Sequence, residues 1–536
     1  MAKKNNIGLG LAALAVGAGA VAAVTKGHKA EVKKEERKAA VKAAKKDYRN
    51  TELGRYDKNS KGIYYSNGNW AEQDPNDWWN AVVESTQQLV THVDPADIAA
   101  VSFSGQMMGC VCVDKAGTPL RNAIIWADMR ATEQEAKIRQ RIDENEFYHL
   151  TGHKISPSYG GQKLMWIKEH EPDIYARTYK MLNAKDYIIL RLTGAFVTEY
   201  TDASSTCLMD LEKLEWSDRL LDAMQLNHKK MPQLCRSTDV AGKVTVEAAA
   251  LTGLAVGTKV VCGGGDGVCA AVGTGCVQEG IAHSSMGTSS WISITSRKPV
   301  FDEKQRTFTW AHIVPGYVLP TGTMQTGGGA YAWYVDHFCY EEKQIAKNHG
   351  QSVYQILEEL LAESQVGSNG LIFLPYLIGE RSPRWNPNVR GCFVGIRMEH
   401  TQKDFLRAVQ EGVAMNLNEV LKIFREAEQK IEEIIVVGGG IKSVAWQQIL
   451  ADVYQERIRI PKLLDEATSM GAAITGGVGV GLFADFSVVD KFVSIARDVH
   501  PNPDNAEKYD ALQDAFEEAY QALVPVYEQL HRFCKS

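Results

Sequence analysis

Short apolar runs that end in glycine recur along the chain, and each predicts a buried strand that turns sharply at its carboxyl end. Such runs occur at residues 99–104, 259–263, 281–286 and 434–437. Apolar residues at helical spacing predict amphipathic helices at residues 353–363, 403–427 and 444–455. Because strands and helices alternate in two blocks, we predict two α/β domains that meet near residues 275–280.

The first fifty residues do not follow this pattern. Residues 7–24 are uncharged and consist mostly of Gly, Ala, Leu and Val, whereas residues 26–49 are highly charged and rich in Lys. The apolar stretch has a marginal length for a membrane anchor. A cleaved signal peptide and a tail without a membrane role are two other interpretations, and the sequence leaves all three open.

Composition is that of a soluble globular protein and argues against some functions. The chain has 536 residues, too many for a single core, so two large domains are the simplest expectation. A net charge of −6 gives no support for nucleic-acid binding. Its ten cysteines are scattered without zinc-site spacing, which indicates a reducing, cytoplasmic setting.

Three of the glycine turns carry residues suited to phosphoryl transfer, which needs positioned phosphates and a base near the acceptor hydroxyl. Asp266 follows three glycines and is either a general base or a helix cap. Residues 287–290, Gly-Thr-Ser-Ser, either offer amides and hydroxyls to phosphate or form a plain hairpin turn. The three glycines at 438–440 either face a nucleotide with their amides or simply connect a strand to a helix.

Seven segments in the expected order resemble the motifs of the FGGY carbohydrate kinases, and most closely those of the xylulokinase branch. Together they extend over roughly residues 63–485. They lie at residues 71–75 (AEQDP), 104–109 (SGQMMG), 126–130 (WADMR), 264–273 (GGDGVCAAVG), 285–290 (SMGTSS), 374–391 (including PYLIGERSP) and 438–448 (GGG to WQQ).

This resemblance implies an α/β fold of two ribonuclease-H-like domains, of the actin and hexokinase ATPase type, flanking a cleft. It implies a kinase that uses ATP and Mg²⁺ and phosphorylates a sugar, with D-xylulose as the first candidate. Asp266 would be the general base. The sugar would contact Gln106, Met107, Met108, Trp126, Asp128 and Asp266, and the nucleotide would contact Gly287, Thr288, Ser289, Gly327, Gly438, Gly439, Gly440 and Ser443. No metal ligand is assigned.

Two departures from the family pattern bear on activity. The family begins with a hairpin bearing D-x-G-T-x-x-x-K/R, whose aspartate is associated with the metal and whose glycine and threonine hold phosphate. We find no such motif, so we expect this hairpin to be missing and ATP turnover to be strongly impaired. Met108 stands where xylulokinases usually have histidine, and Gly267 replaces an asparagine or glutamine. Another ketose or a polyol therefore stays open as the substrate, and a catalytically silent sugar-binding protein is the second hypothesis.

Four segments follow from these observations. Residues 1–50 are the Ala/Gly-rich stretch and basic tail, with membrane contact as one alternative; 51–278 are the sugar domain, 279–490 the nucleotide domain, and 491–536 a helical extension. The resemblance implies a sugar and ATP as partners, no nucleic acid and a cytoplasmic location, with membrane association through the N-terminus as the alternative, and it allows a homodimer.

Overall fold

The computed structural model describes residues 11–16, 19–25, 62–66, 69–462 and 466–534. These residues divide into two compact units. Unit 1 comprises the described residues up to Val277, together with Trp310–Val318 and Glu466–Phe492. Unit 2 comprises Gln278–Thr309, Leu319–Asp465 and Val493–Ser536. Residues 466–490, which we expected in the nucleotide domain, therefore belong to unit 1.

The strands in chain order are β1 (Leu11–Val16), β2 (Gly19–Thr25), β3 (Tyr64–Ser66), β4 (Trp70–Gln73), β5 (Ile98–Gly105), β6 (Val111–Val113), β7 (Ala123–Ile124), β8 (Lys180–Leu182), β9 (Val197–Glu199), β10 (Met209–Asp210), β11 (Glu215–Trp216), β12 (Gln233–Cys235), β13 (Val240–Lys243), β14 (Lys259–Gly265), β15 (Ile281–Met286), β16 (Ser290–Ile294), β17 (Phe308–Ala311), β18 (Val318–Met324), β19 (Ile372–Leu374), β20 (Cys392–Val394), β21 (Glu433–Val437), β22 (Ile458–Pro461) and β23 (Ile495–Val499).

The helices in chain order are α1 (Pro75–Val90), α2 (Thr132–Arg139), α3 (Glu144–Thr151), α4 (Gly160–His170), α5 (Pro172–Arg177), α6 (Ala184–Thr193), α7 (Tyr200–Ser204), α8 (Asp218–Ala223), α9 (Val246–Thr252), α10 (Asp266–Thr274), α11 (Gly328–Phe338), α12 (Tyr340–His349), α13 (Val353–Ala362), α14 (Gln402–Glu426), α15 (Val444–Tyr454), α16 (Ala467–Gly479) and α17 (Ala506–Cys534).

Unit 1 is built on a five-stranded sheet in the order β1–β2–β5–β14–β13. β14 runs parallel to β5, with Gly265 opposite Gly105. β2 is antiparallel to β5, and β13 is antiparallel to β14. β5 and β14 consist of apolar and small residues and are almost entirely buried, as expected for central strands covered on both faces.

The apolar stretch near the N-terminus forms the hairpin β1–β2. All seven residues of β2 pair with β5, from Gly19 opposite Gly105 to Thr25 opposite Ile98. We expected the family's first hairpin to be missing. This expectation is wrong as far as the backbone is concerned, because β1 and β2 form two strands at the edge of the sheet. Among the described residues, no helix is long and apolar enough to cross a membrane. The charged segment 26–49 lies outside the described residues.

Helix α10 begins at Asp266 and crosses α16 where both helices carry glycine. A Cβ at Gly273 would lie 1.8 Å from the carbonyl oxygen of Ala467, and one at Gly471 would lie 1.9 Å from that of Cys269. Since neither residue has a side chain, the two backbones come into direct contact. This contact explains why α16 packs within unit 1, and it fixes the helix that begins with Asp266.

We expect Gly273→Ala to destabilise unit 1 by about 1–3 kcal/mol, because the methyl group would force the two backbones apart. Gly267→Ala is the matched control: it lies in the same helix, and a Cβ there meets nothing within 4 Å. Alanine also favours helix over glycine, so the control should be as stable as the original chain or more stable. Thermal unfolding measures both variants, and equal Tm values would contradict the tight helix crossing.

Unit 2 is built on a seven-stranded sheet in the order β17–β18–β16–β15–β21–β22–β23. β15 and β21 are parallel neighbours in its interior, with Ser285 opposite Val437. The long helix α14 contributes a continuous apolar stripe to the core, including Leu406, Val413, Leu417, Val420 and Phe424. The expected C-terminal helical extension contains strand β23 in addition to the long helix α17.

Candidate active site

The carboxyl ends of β5 and β14 bring the predicted base and the predicted sugar-site turn together. The two strands end side by side at Gly105 and Gly265. The turn at 106–109 leaves the first strand, and Asp266 begins α10 directly after the second. A Cβ at Gly265 would come within 2.5 Å of Met107 Sδ, so Met107 packs against the backbone that precedes Asp266. Gln106, Met107 and Asp266 therefore lie together at the carboxyl ends of β5 and β14.

Asp266 is exposed to solvent, and its Oδ1 accepts a hydrogen bond from the Gly267 N–H at 2.8 Å. Despite this exposure, the surrounding protein desolvates the carboxyl group and raises its pKa to about 6, against the opposing effect of the Gly267 hydrogen bond. A carboxyl group with this pKa is mostly ionised at pH 7 and remains basic enough to accept a proton. Its electrostatics therefore suit a general base.

Gln106 is buried, and Gln73 fixes its orientation. The Gln106 Nε2 donates to Gln73 Oε1 at 2.7 Å, and the same oxygen accepts a hydrogen bond from Trp78 Nε1 at 3.3 Å. Gln106 Oε1 then has no hydrogen-bond partner among the described residues. A buried acceptor without a partner is unfavourable, so this oxygen is well suited to a sugar hydroxyl.

Lys163 joins the sugar-site turn to the segment that carries Trp126. Its buried Nζ donates to the carbonyl oxygens of Met108 at 2.8 Å and Ile125 at 2.7 Å. Met108 is held at a φ of 63°, in the left-handed region that methionine seldom adopts. Trp126 is 47% exposed, so its indole ring is accessible to a sugar.

Asp128 does not present a free carboxylate in this arrangement. It is fully buried, and its Oδ2 accepts hydrogen bonds from the Ala71 N–H at 2.5 Å and Arg130 Nη2 at 2.7 Å. Its Oδ1 accepts a hydrogen bond from the Arg130 backbone N–H at 2.9 Å. Asp128 therefore stabilises the segment next to Trp126, and this geometry does not support the direct sugar contact that the sequence suggested.

In unit 2, the predicted nucleotide residues follow two parallel neighbouring strands. Residues 287–289 follow β15, and residues 438–440 follow β21. A Cβ at Gly438, where φ is 101°, would lie 2.7 Å from the carbonyl oxygen of Met286, so the two turns touch. A Cβ at Gly439 would meet nothing within 4 Å, so open space lies next to this turn.

Gly327 and Ser443 make hydrogen bonds within the protein. The Gly327 N–H donates to the carbonyl oxygen of Thr288 at 2.9 Å, and the Gly328 N–H donates to that of Gly287 at 2.7 Å. The amides at the start of α11 thus hold the turn at 287–288 in place. Ser443 Oγ accepts a hydrogen bond from the Trp446 N–H at 3.2 Å and caps α15. Both residues shape the two turns.

These two turns fit a nucleotide. Thr288 and Ser289 are exposed hydroxyl residues, and the backbone at Gly439 is open, so hydroxyls and amides are accessible to phosphate oxygens. The described part of the chain contains no group of three or more His, Cys, Asp or Glu side chains that could hold a metal ion. Mg²⁺ usually binds nucleotide phosphates together with one or two carboxylates. Such an ion would enter with the nucleotide.

The segment that contains the hairpin β1–β2 can be compared with the family's first phosphate motif by spacing alone. When D-x-G-T-x-x-x-K/R is laid on residues 15–22, Gly17 matches, and Ala15, Ala18 and Ala22 stand in place of Asp, Thr and Lys/Arg. The Val16–Gly19 end of the hairpin lies at the Gly105 edge of the sheet, next to the strand that leads to Asp266. Strands β1 and β2 therefore form a hairpin, and with this spacing its sequence carries only the glycine of the motif.

Three site residues were not assigned a role from the sequence: Gln73, Lys163 and Thr201. Gln73 lies within the recognised segment 71–75, which was a usable signal. Lys163 and Thr201 lie in helices α4 and α7, outside the seven recognised segments, so no motif marked them. Both are fully buried, which only the tertiary structure shows.

Models of one protein family match most of the chain. The model of the FGGY carbohydrate kinase N-terminal domain matches residues 39–273, and that of the C-terminal domain matches residues 282–480. The matched ranges cover both glycine-turn sites. The recognition of the family from its motifs is therefore confirmed.

Individual relatives extend over most of the chain. A xylulose kinase of Staphylococcus epidermidis is 34% identical over 462 residues, 86% of this chain and 90% of that protein. A gluconokinase of Bacillus licheniformis is 30% identical over 475 residues, 88% of this chain and 92% of that protein. The crystal structure of xylulose kinase from Rhodospirillum rubrum has a TM-score of 0.79 at 28% identity, covering 87% of this chain and 93% of that one, which confirms the predicted fold class. The chain belongs to the FGGY family of carbohydrate kinases, phosphotransferases that use ATP and an alcohol acceptor.

Proposed function

We propose that this chain transfers the γ-phosphoryl group of ATP to a sugar hydroxyl, and that D-xylulose, converted to D-xylulose 5-phosphate, is the first candidate substrate. The observation that carries the proposal is the position of Asp266, whose pKa is raised to about 6, beside the turn that presents Gln106. The 104–109 and 264–273 motifs and the similarity to xylulose kinases support the choice of sugar.

In this mechanism Asp266 accepts the proton of the acceptor hydroxyl while the hydroxyl oxygen attacks the γ-phosphorus. The bond from phosphorus to the bridging oxygen breaks, ADP leaves, and the proton passes from Asp266 to solvent. Gln106 Oε1 accepts a hydrogen bond from a second sugar hydroxyl, and Trp126 packs against the carbon skeleton. The turns at 287–289 and 438–440 hold the nucleotide. Mg²⁺ that entered with the nucleotide would supply charge neutralisation.

The lysine at the sugar-site turn already donates hydrogen bonds within the protein, which bears on the choice between a neutral sugar and gluconate, the substrate named for some relatives. An ammonium group has three N–H donors. Lys163 directs its Nζ to three carbonyl oxygens, those of Met108, Ile125 and Ser158. A sugar carboxylate at this turn would have to compete with those bonds, so we place gluconate behind an uncharged ketose or polyol.

A silent sugar-binding protein is the second candidate function. The observation that favours it is the absence of a D-x-G-T motif from the sequence; when the motif is laid on residues 15–22, Ala15, Ala18 and Ala22 stand at the positions that hold metal and phosphate in the family. Loss of one such electrostatic contact reduces turnover by about 10²–10³-fold in other enzymes. Sugar binding, which depends on Gln106 and Trp126, would survive that loss.

An ADP-release assay separates the two functions. It uses the full-length chain, Mg²⁺-ATP and a panel of pentuloses, hexuloses, polyols and gluconate. Sugar-dependent ADP release would support the kinase and name its substrate. Calorimetric titration of the same sugars without ATP provides the second measurement. Binding of a sugar without any ADP release would contradict the kinase and support the silent protein.

Catalysis should depend on pH through Asp266. Because its pKa is raised to about 6 and only the ionised form accepts a proton, kcat/KM should fall as the pH drops through 6 and approach a tenfold loss per pH unit below it. The measurement is kcat/KM for the sugar at saturating ATP between about pH 5 and 8. A profile that stays flat down to pH 5, as expected for an ordinary aspartate with a pKa near 4, would show that desolvation does not act on the base.

Met108→His should raise kcat/KM for D-xylulose relative to other sugars. Histidine adds a polar contact that xylulokinases usually have at this position. It also adopts a left-handed backbone more readily than methionine, so the φ of 63° should be tolerated. Met108→Leu is the matched control without a polar group. Equal sugar preference in the two variants would mean that residue 108 does not determine specificity.

Four further assignments stay predictions: Mg²⁺ as the metal, a homodimer, a cytoplasmic location and a membrane contact through residues 1–50. Co-purification tests for the metal, and light scattering tests for the homodimer. Cell fractionation of the tagged full-length chain tests the location and the membrane contact.

A further inference from the structure

One short segment contacts both halves of the sugar site in unit 1. It consists of residues 199–205, from the end of β9 through α7. Thr201 Oγ1 accepts a hydrogen bond from the Gly265 N–H at 2.8 Å, directly before the base Asp266. Ser205 Oγ accepts one from the Met108 N–H at 3.0 Å, in the sugar-site turn. The two turns are therefore tied to the same few residues.

Both hydroxyls have a fixed orientation, because each also donates a hydrogen bond. Thr201 Oγ1 donates to Glu199 Oε1 at 2.6 Å. Ser205 Oγ donates to the carbonyl oxygen of Asp202 at 2.8 Å. The proton of each hydroxyl is thus directed into the segment, and its lone pairs point to the amides of the two turns. Each hydroxyl can accept a hydrogen bond without rearranging.

A buried charge cluster of Lys185, Glu199 and Asp202 holds the segment in place. Glu199 accepts hydrogen bonds from the Thr201 N–H at 2.9 Å and from Ser237 Oγ at 2.6 Å. Lys185 Nζ lies 3.2 Å from Glu199 Oε1 and 2.9 Å from Asp202 Oδ2. The Lys185 side chain also packs under the strand end, since a Cβ at Gly105 would lie 2.8 Å from Lys185 Cβ.

Such a cluster is a poor way to gain stability, because removing charges from water offsets much of their attraction. Its members are almost completely buried. What it provides is a fixed position: a side chain with several strong bonds has few alternative conformations. The residues that this cluster holds are those that contact Gly265 and Met108.

We propose that Thr201 and Ser205 are positioning residues, Thr201 for the base Asp266 and Ser205 for the sugar-site turn at Met108. The proposal rests on the proposed function, in which Asp266 is the base. Thr201 sets the backbone from which Asp266 projects, so it governs the rate of proton transfer. Ser205 sets the turn that holds Gln106 and Met108, so it governs sugar affinity.

The test separates kcat from KM in three full-length variants. Thr201→Val keeps the shape and removes the hydroxyl, and it should lower kcat at least 30-fold while the KM for sugar changes less than threefold. Thr201→Ser restores the hydroxyl and should recover kcat to within about threefold of the original chain. Ser205→Ala should raise the KM for sugar about tenfold with a smaller change in kcat.

A merely structural role predicts a different result, in which Thr201→Val and Ser205→Ala both lose kcat and affinity together with their thermal stability. That result, or a Thr201→Val variant with unchanged kcat, would overturn the proposal. Calorimetric sugar binding needs no turnover: Ser205→Ala should weaken it about tenfold and Thr201→Val less than threefold. If the original chain binds sugar without phosphorylating it, the proposed function fails, and this binding comparison still decides whether Ser205 positions the turn.

Discussion

Asp266→Asn is expected to reduce sugar-dependent ADP release by about 10²–10⁴-fold, the usual contribution of a positioned general base. Asparagine has nearly the same shape as aspartate but cannot accept the proton of the sugar hydroxyl. The folded protein disfavours the ionised carboxyl, as its raised pKa shows, so the neutral amide should not lower stability at pH 7. The measurement is kcat for the best sugar at saturating Mg²⁺-ATP, together with thermal unfolding.

Asp173→Asn is the matched control, since Asp173 is an exposed aspartate at the start of α5 in the same unit. It should keep full turnover. If Asp266→Asn retains turnover within about tenfold of the original chain, Asp266 is not the base. Sugar binding by calorimetry should be similar in both variants, which separates a loss of chemistry from a loss of substrate.

Restoring the first phosphate motif should raise turnover by about 10²–10³-fold, the usual effect of a single well-placed electrostatic group. The double variant Ala15→Asp and Ala18→Thr converts residues 15–18 from Ala-Val-Gly-Ala to Asp-Val-Gly-Thr. Strands β1 and β2 form a hairpin, and its Gly19 pairs with Gly105 at the carboxyl end of β5. The same ADP-release assay measures the gain.

The matched control is Ala15→Asn with Ala18→Val, which adds side chains of similar size without the carboxylate or the hydroxyl. It should give no gain. Equal turnover in the two double variants would mean that Ala15 and Ala18 do not limit activity. If the original chain is too slow to assay, the restored variant provides the background in which Asp266→Asn is tested.

Local patterns determined much of the candidate nucleotide site in unit 2. A run of apolar residues followed by glycine is a signal within a few residues, so the turns at 287–289 and 438–440 could be predicted without knowing the sheet. Their adjacency depends on the parallel pairing of β15 with β21, which joins segments far apart in the chain. The cap at Ser443 is also local and follows from a hydroxyl residue at the start of a helix.

The N-terminal hairpin shows the opposite case. An Ala- and Gly-rich stretch has little strand preference of its own, so composition favoured an anchor, a signal peptide or a tail. Its strands form because β5 offers a full row of hydrogen-bond partners to β2. A similar reason applies to residues 466–492, whose placement in unit 1 depends on the glycine contact between α10 and α16.

By itself, the sequence determined the family, the two α/β halves, the base candidate Asp266 and the glycine turns, because each is encoded by a short, continuous motif. Only the tertiary structure decided that Asp128 is held by Arg130, that Lys163 and Thr201 are buried supports of the site, and that the N-terminal stretch is part of a sheet. These properties depend on which distant backbone groups come within hydrogen-bonding distance, and no local pattern contains that information.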